Sequence, residues 1–261
     1  GVKTPSPFNF KTIDQFYDVE YAKILKEKLK NKYPNGKATV VELLSDNDKT
    51  ISNYASLLFE KDYSLYTSKQ WGISPREVDV SVLKRVPVEF SYKEYYFYDK
   101  FEGIPKDGFM SLIKNLFNSK NIDIITSKNA IEDISIIDNV VFFKGKKAKI
   151  IYTGPLDEFF KYKYDELPYR SLKFDIERKI NDGLDAAAII ASPSHKFEFT
   201  RITDYSKLPL QNVRYTTLVK EYPQRYIAKI NEPYYPILTK DSIIRYQKYF
   251  DEASSITGLY L

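Results

Sequence analysis

A chain of 261 residues, 43% of them hydrophobic, is long enough to bury one large core or two smaller ones and too apolar to stay disordered. It holds no Cys and one His, which excludes disulfides, thiolate metal sites and a Cys nucleophile, and argues against a His-based metal site or a Ser-His-Asp triad. The net charge of +5 arises from 40 basic residues interspersed with 35 acidic ones, without the like-charge block that marks a nucleic-acid footprint. No apolar stretch reaches the roughly 18 residues of a membrane helix, and with no basic-then-apolar leader the expected compartment is the cytoplasm.

In chain order, residues 2–10 are Pro-rich and read as extended. Thr12 is expected to cap a short helix through Tyr17. Residues 19–33 place Tyr21, Leu25 and Leu29 on one stripe among Lys23, Lys26, Glu27 and Lys30, an amphipathic helix that Pro34-Asn35-Gly36 ends. Thr39 opens a helix over 40–44, with Glu42 completing a capping box. Asp48 or Thr50 opens the next, which turns Ile51, Tyr54, Leu57, Leu58 and Tyr63 inward. These elements predict a helical bundle over residues 1–72 with an extended lead-in.

Residues 73–89 show weak periodicity and read as a loop, mobile over 77–89, of the kind that closes over a ligand. Strands are predicted over 90–98, 122–126, 140–143 and 150–152, with a helix over 110–117. Leu172, Phe174 and Ile176 alternate with Lys173, Asp175 and Glu177, the pattern of a half-buried strand. Further strands are expected over 186–191, 197–202 and 214–221, and His195, after Ser192-Pro193-Ser194, in a loop. Thr239 caps a last helix over 239–254, with Ile243, Ile244, Tyr246, Tyr249 and Phe250 on its apolar side, and 256–261 closes as a strand. The fold class is α+β: a helical bundle, then a mixed, largely antiparallel sheet domain over 73–261.

The densest chemistry lies between residues 66 and 105. It reads Tyr66-Thr67-Ser68-Lys69-Gln70-Trp71-Gly72, Lys84-Arg85-Val86-Pro87-Val88, Tyr95-Tyr96-Phe97 and Gly103-Ile104-Pro105, and it includes the only Trp. Aromatic faces pack on a base or a sugar. An arginine forks onto phosphate oxygens, and phenol hydroxyls donate to the same atoms. The same residues equally suit an aromatic core beside a solvated arginine.

Downstream follow Ile151-Tyr152-Thr153-Gly154-Pro155-Leu156-Asp157-Glu158, Pro168-Tyr169-Arg170-Ser171-Leu172-Lys173, Thr200-Arg201-Ile202, Lys220-Glu221-Tyr222-Pro223 and Glu232-Pro233-Tyr234-Tyr235-Pro236. In this order the blocks resemble the UDP-galactopyranose mutase family, which interconverts UDP-galactopyranose and UDP-galactofuranose for cell-surface polysaccharide biosynthesis. The resemblance implies a fold of three parts: an FAD-binding α/β domain, a helical bundle and a sheet domain. It also implies a reduced flavin that attacks the anomeric carbon as UDP leaves. Arg85 matches the family's mobile-loop arginine on the diphosphate, and Arg201 its second essential arginine; both are the expected catalytic residues. Tyr96 and Tyr235 match phosphate-binding tyrosines, and Tyr66, Thr67 and Trp71 match positions around uridine and sugar. Glu221 matches an acidic residue near the active site.

The departure is at the flavin. The family opens with a Gly-x-Gly-x-x-Gly turn holding the FAD pyrophosphate, and these nine glycines contain no Gly-x-Gly. Residues 106–155 read as remnants of an incomplete flavin domain, so FAD is the cofactor of the intact family enzyme and this chain alone is not expected to retain it or turn over. Three functions stay open: a flavin-dependent sugar-nucleotide mutase, a UDP-sugar-binding chain without chemistry, and an interaction protein. The expected partner is a UDP-sugar rather than nucleic acid or membrane, with a homodimer open and the sugar, galactose or an N-acetylated one, undecided.

Overall fold

The structure, a computed structural model, describes residues 2–94, 97–181, 187–208 and 211–261. It divides into two compact units, each made from two stretches of chain: 1–104 with 172–224, and 105–171 with 225–261.

The first stretch is mainly helical. Helix α1 (Phe10–Phe16) is capped by Asn9, whose side-chain oxygen accepts from the Lys11 amide at 2.9 Å while its Nδ2 donates to the Lys93 carbonyl at 2.9 Å. Thr12 is not the cap but the third residue of the helix, accepting the Asn9 amide in a capping box, because Asn9 already has the extended backbone a cap needs. Helix α2 (Val19–Lys32) buries Ala22, Leu25 and Leu29. Strand β1 (Lys37–Ala38) follows, then α3 (Val40–Leu44) with the expected Thr39–Glu42 capping box. Asp48 caps α4 (Lys49–Leu58), whose Ile51, Tyr54, Ala55 and Leu58 are buried. The helix does not stop there: a π-helical turn (Phe59–Tyr63) leads straight into α5 (Ser64–Trp71), which Gly72 ends at φ +67°. The Tyr66 segment is therefore the last two turns of a long helix.

Within the loop expected over 73–89 stands a single turn, α6 (Val80–Leu83), and then β2 (Val88–Glu89), antiparallel to β1 with Ala38 opposite Val88. The core of this stretch joins Phe10, Ile13, Leu25, Leu29, Val40, Leu43, Ile51, Tyr54, Val88 and Phe90. Each such side chain removed from water contributes about 1.5–3 kcal/mol before entropy is counted. The strand predicted from Phe90 is corrected: residues 90–94 and 97–98 form none, and 95–96 lie outside the described residues. The aromatics there are spent singly. Phe90 packs on Tyr33 and Tyr92 meets Phe10 edge-on, while the Ser91 and Lys93 carbonyls take the Phe10 amide and the Asn9 side chain.

In the second unit, α7 (Phe109–Leu116) forms as predicted, with Phe109, Met110, Leu112, Ile113 and Leu116 exposed. The strand predicted over 122–126 is not formed; Ile122, Ile124 and Ile125 are exposed and no described strand pairs with them. A β meander follows: β3 (Ile134–Ile137), β4 (Val140–Phe143) and β5 (Lys146–Lys147), whose first turn puts Asp138 and Asn139 at positive φ, as tight hairpins require. Then come β6 (Ile150–Ile151) and a short α8 (Leu156–Phe159).

The main sheet comprises β7 (Tyr169–Ile180), β8 (Ile189–Ala191), β9 (Arg201–Asp204), β10 (Tyr215–Arg225) and β11 (Tyr235–Pro236), in the order β11-β7-β10-β9-β8. The β8–β9, β9–β10 and β11–β7 pairs are antiparallel. Two expectations are corrected here. Of the alternating residues on β7, Leu172 is buried but Phe174 and Ile176 are exposed. The strand expected from 197 begins only at Arg201, because the carbonyls before it turn toward Lys69. Residue 186, the expected start of β8, lies outside the described residues.

Thr239 caps α9 (Lys240–Ser255) as predicted, but of its expected apolar side only Tyr249 is buried. The chain ends on β12 (Leu259–Tyr260), parallel to β6. Gly258, at φ +89°, lets this pairing form: a Cβ there would lie 2.7 Å from the Ala148 carbonyl oxygen. Val141, Phe159, Ala253, Ile256 and Leu259 form the second core. Among the described residues no helix is long and apolar enough to cross a membrane.

Candidate functional site

Helix α5 carries three of the predicted site residues on adjacent positions of its surface. Thr67 and Trp71, four apart, are buried with Gln70, whereas Tyr66 is half-buried. Lys69, three residues after Tyr66, directs its ammonium at four backbone carbonyls: Ser192 at 2.6 Å, Ser194 at 2.9 Å, Phe197 at 2.8 Å and Phe199 at 2.8 Å. Burial lowers its pKa. The loop it gathers, with exposed His195 at its tip, is braced by stacking of Phe197 on Phe199 at 5.2 Å and by the Ser192 amide bonding to Thr200 O at 2.7 Å.

That loop delivers β9. Arg201 lies opposite Glu221 on β10, and its Nε is 2.6 Å from Glu221 Oε1. Glu221 is buried while the Arg201 side chain retains about a third of its exposure, 37%. A buried carboxylate thus anchors an arginine whose charge still borders solvent. Next to the pair, the buried Thr200 donates its amide to Glu221 O at 2.8 Å. Asp204, at the far end of β9, is desolvated, which raises its pKa, but hydrogen bonds from Thr216, Ser206 and Lys207 outweigh this and hold it down at about 2.

Arg85 follows α6 and is exposed; among the described residues its side chain makes no hydrogen bond or ion pair. The segment is tethered by the Tyr63 hydroxyl, which donates to Val86 O at 2.9 Å, and by buried Val88. Tyr66, Thr67, Trp71, Arg85, Arg201 and Glu221 all belong to the first unit. Tyr235 belongs to the second, half-buried on β11 opposite Arg170. Tyr96 lies outside the described residues.

The second unit has a hollow of about 420 Å³. Tyr152, Tyr169, Tyr246, Pro155 and Ile237 are among its lining residues. Burial pushes the Tyr152 phenol up to about 12. Sequence reasoning missed this hollow, since its walls come from four separate segments, and it passed over Lys69 although the residue stands inside the Tyr66–Gly72 motif. No local pattern marks a lysine whose partners are carbonyls 123 to 130 residues away.

A family model described as UDP-galactopyranose mutase matches residues 61–261. A dTDP-fucopyranose mutase of Escherichia coli is 28% identical over 254 residues, covering 97% of this chain and 66% of that protein. A probable UDP-galactopyranose mutase of Klebsiella pneumoniae is 30% identical over 255 residues, covering 95% of this chain and 62% of that protein. A crystal structure of reduced UDP-galactopyranose mutase shares the fold, with a TM-score of 0.58 at 14% identity over 99% of this chain and 72% of that one. The chain thus spans less than two thirds of the length of the curated relatives it matches.

Proposed function

The chain belongs to the UDP-galactopyranose mutase family, and on that premise we propose that it is the substrate-handling part of a mutase that interconverts UDP-galactopyranose and UDP-galactofuranose. In this reading Arg85 and Arg201 hold the diphosphate, where negative charge grows as UDP departs, and both act in catalysis. Tyr66, Thr67 and Trp71 shape the place for uridine and sugar, Tyr96 and Tyr235 donate to phosphate, and Glu221 sets the position of Arg201. The observation that carries the reading is the Arg201–Glu221 pair at 2.6 Å, on a strand whose preceding loop is bound to the helix of Tyr66, Thr67 and Trp71. It supports a cationic group presented beside an aromatic-bearing helix, the chemistry a nucleotide sugar needs.

The family is one of flavoenzymes, and the residues present do not fit the whole of FAD. The hollow in the second unit is apolar and ring-lined, but no Gly-x-Gly spacing occurs in the sequence to bring backbone amides around a pyrophosphate. At Gly154 the open side is taken by the protein itself: a Cβ there would lie 2.5 Å from the Tyr152 hydroxyl. A second reading follows from this lack of a cradle: the chain binds a UDP-sugar without turning it over. Titrating UDP while following the fluorescence of Trp71, the only Trp, tests the binding common to both readings. Turnover of UDP-galactofuranose after adding FAD and a reductant separates them. A parallel titration with dTDP asks which nucleotide is preferred, given the dTDP-fucopyranose mutase among the relatives.

A further inference from the structure

We propose that Lys69 is a positioning residue: its ammonium clamps the loop over 192–199 onto helix α5 and so sets where Arg201 stands relative to Tyr66 and Trp71. This rests on the reading of Arg201 and α5 as the substrate side of the chain.

Four carbonyl oxygens lie within 2.6–2.9 Å of one nitrogen. An ammonium has only three N–H donors, so at least one bond is shared, and the oxygens surround the charge as they would a small bound cation. The charge is spent on protein carbonyls, so Lys69 is not a phosphate contact. The four carbonyls converge because the loop folds back on itself: Phe197 N bonds to Ser194 O at 3.4 Å and Ser192 N to Thr200 O at 2.7 Å. Such convergence of like dipoles is repulsive unless a cation sits at the centre. Arg201 is two residues beyond Phe199, the last carbonyl held, and Thr200 between them is buried and bonded to Glu221. At its other end the loop leaves Ala191, which is itself paired with Arg201 in the β8–β9 register, so both ends of the loop bear on Arg201. Removing the central charge releases four acceptors at once and lets the start of β9 shift.

The test compares Lys69→Met, which keeps most of the stem and loses the charge, with Lys69→Arg, which keeps the charge. Amide exchange at Ser192 and Thr200, the Trp71 emission spectrum and UDP affinity are read on the whole chain. In Lys69→Met, exchange at the two amides is expected to quicken at least tenfold and UDP affinity to fall at least tenfold. The amides of Leu25 and Leu29 in the bundle core should keep their protection. Lys69→Arg should restore both the emission spectrum and most of the affinity. Unchanged exchange and affinity in Lys69→Met would overturn the proposal. So would loosening of the Leu25 and Leu29 amides to the same degree, with no rescue by Lys69→Arg, since that is plain loss of stability. If UDP fails to bind the unaltered chain, the functional reading falls, and the exchange measurement alone still decides whether Lys69 holds the loop.

Discussion

Arg85 and Arg201 carry the same charge in opposite settings, and the difference separates binding from folding. Arg201 is tied at 2.6 Å to a glutamate that is itself buried, so truncating it strands a carboxylate in a poorly solvated place. Arg201→Ala should lower stability by about 1–3 kcal/mol, a figure discounted for the exposure the arginine keeps. The double change Arg201→Met with Glu221→Leu should recover most of that in a denaturant melt while leaving UDP binding lost. Arg85 has no such partner among the described residues and is exposed. Arg85→Ala should leave the melt unchanged within about 0.5 kcal/mol and weaken UDP binding by about 1.5–3 kcal/mol, the scale of a charge-assisted hydrogen bond. Unaltered affinity in both arginine variants would remove the diphosphate assignment. The residue types of this site were legible because they recur in ordered blocks. The pairing of Arg201 with Glu221 was not, since a cross-strand partner 20 positions away leaves no local trace.

At the scale of the element, the long helix from Lys49 to Trp71 shows why its parts were easy to read and its join was not. The apolar spacing of Ile51, Tyr54 and Leu58 gives α4 directly, and Gly72 gives the end of α5. Between them Phe59–Tyr63 widens to a π-helical turn, while its sequence, Phe-Glu-Lys-Asp-Tyr, reads as ordinary polar helix. The turn leaves Asp62 in low-dielectric surroundings although its residue is not fully buried, and desolvation pushes its pKa up to about 6. A carboxyl that holds its proton more tightly folded than unfolded opposes folding once ionised. Stability should therefore fall as pH rises from about 4 through about 6 and stay lower above that. Asp62→Asn should raise stability by about 1–2 kcal/mol at pH 7–8 and give no gain at pH 3–4. Denaturant melts at the two pH values check this; equal gains at both would show that the carboxylate is well solvated. The failed strands teach the same lesson in another form. Residues 90–94, 97–98 and 122–126 have β-forming side chains, but a strand needs a neighbour's backbone, and in the first case Phe10 and Asn9 have already taken the Ser91 and Lys93 carbonyls.

At the scale of the whole molecule, the fold class could be read because the first quarter of the sequence is mainly helical and most of the strands come after it. The division into units could not, since each unit takes chain from two places. The second unit's hollow is ring-lined, and the sequence has no Gly-x-Gly to cradle a phosphate, which leads to a direct expectation. The chain purified from cells should show no flavin absorption band after dialysis; a band that persists would mean the cofactor is held by contacts other than a glycine-rich turn.

The Lys69 clamp also sets an order of events during synthesis. Its four acceptors come 123 to 130 residues after it, and the core of the helical stretch contains only residues up to Phe90. The bundle can close as it leaves the ribosome, but at about 5–20 residues per second the carbonyls that hold Lys69 emerge roughly 5–22 s later. For that interval a lysine destined to hold the loop stands hydrated on a finished helix, while the chain over 105–171 is made in between. The surface around α5 is thus completed well after its own helix, which waits in water until the loop arrives.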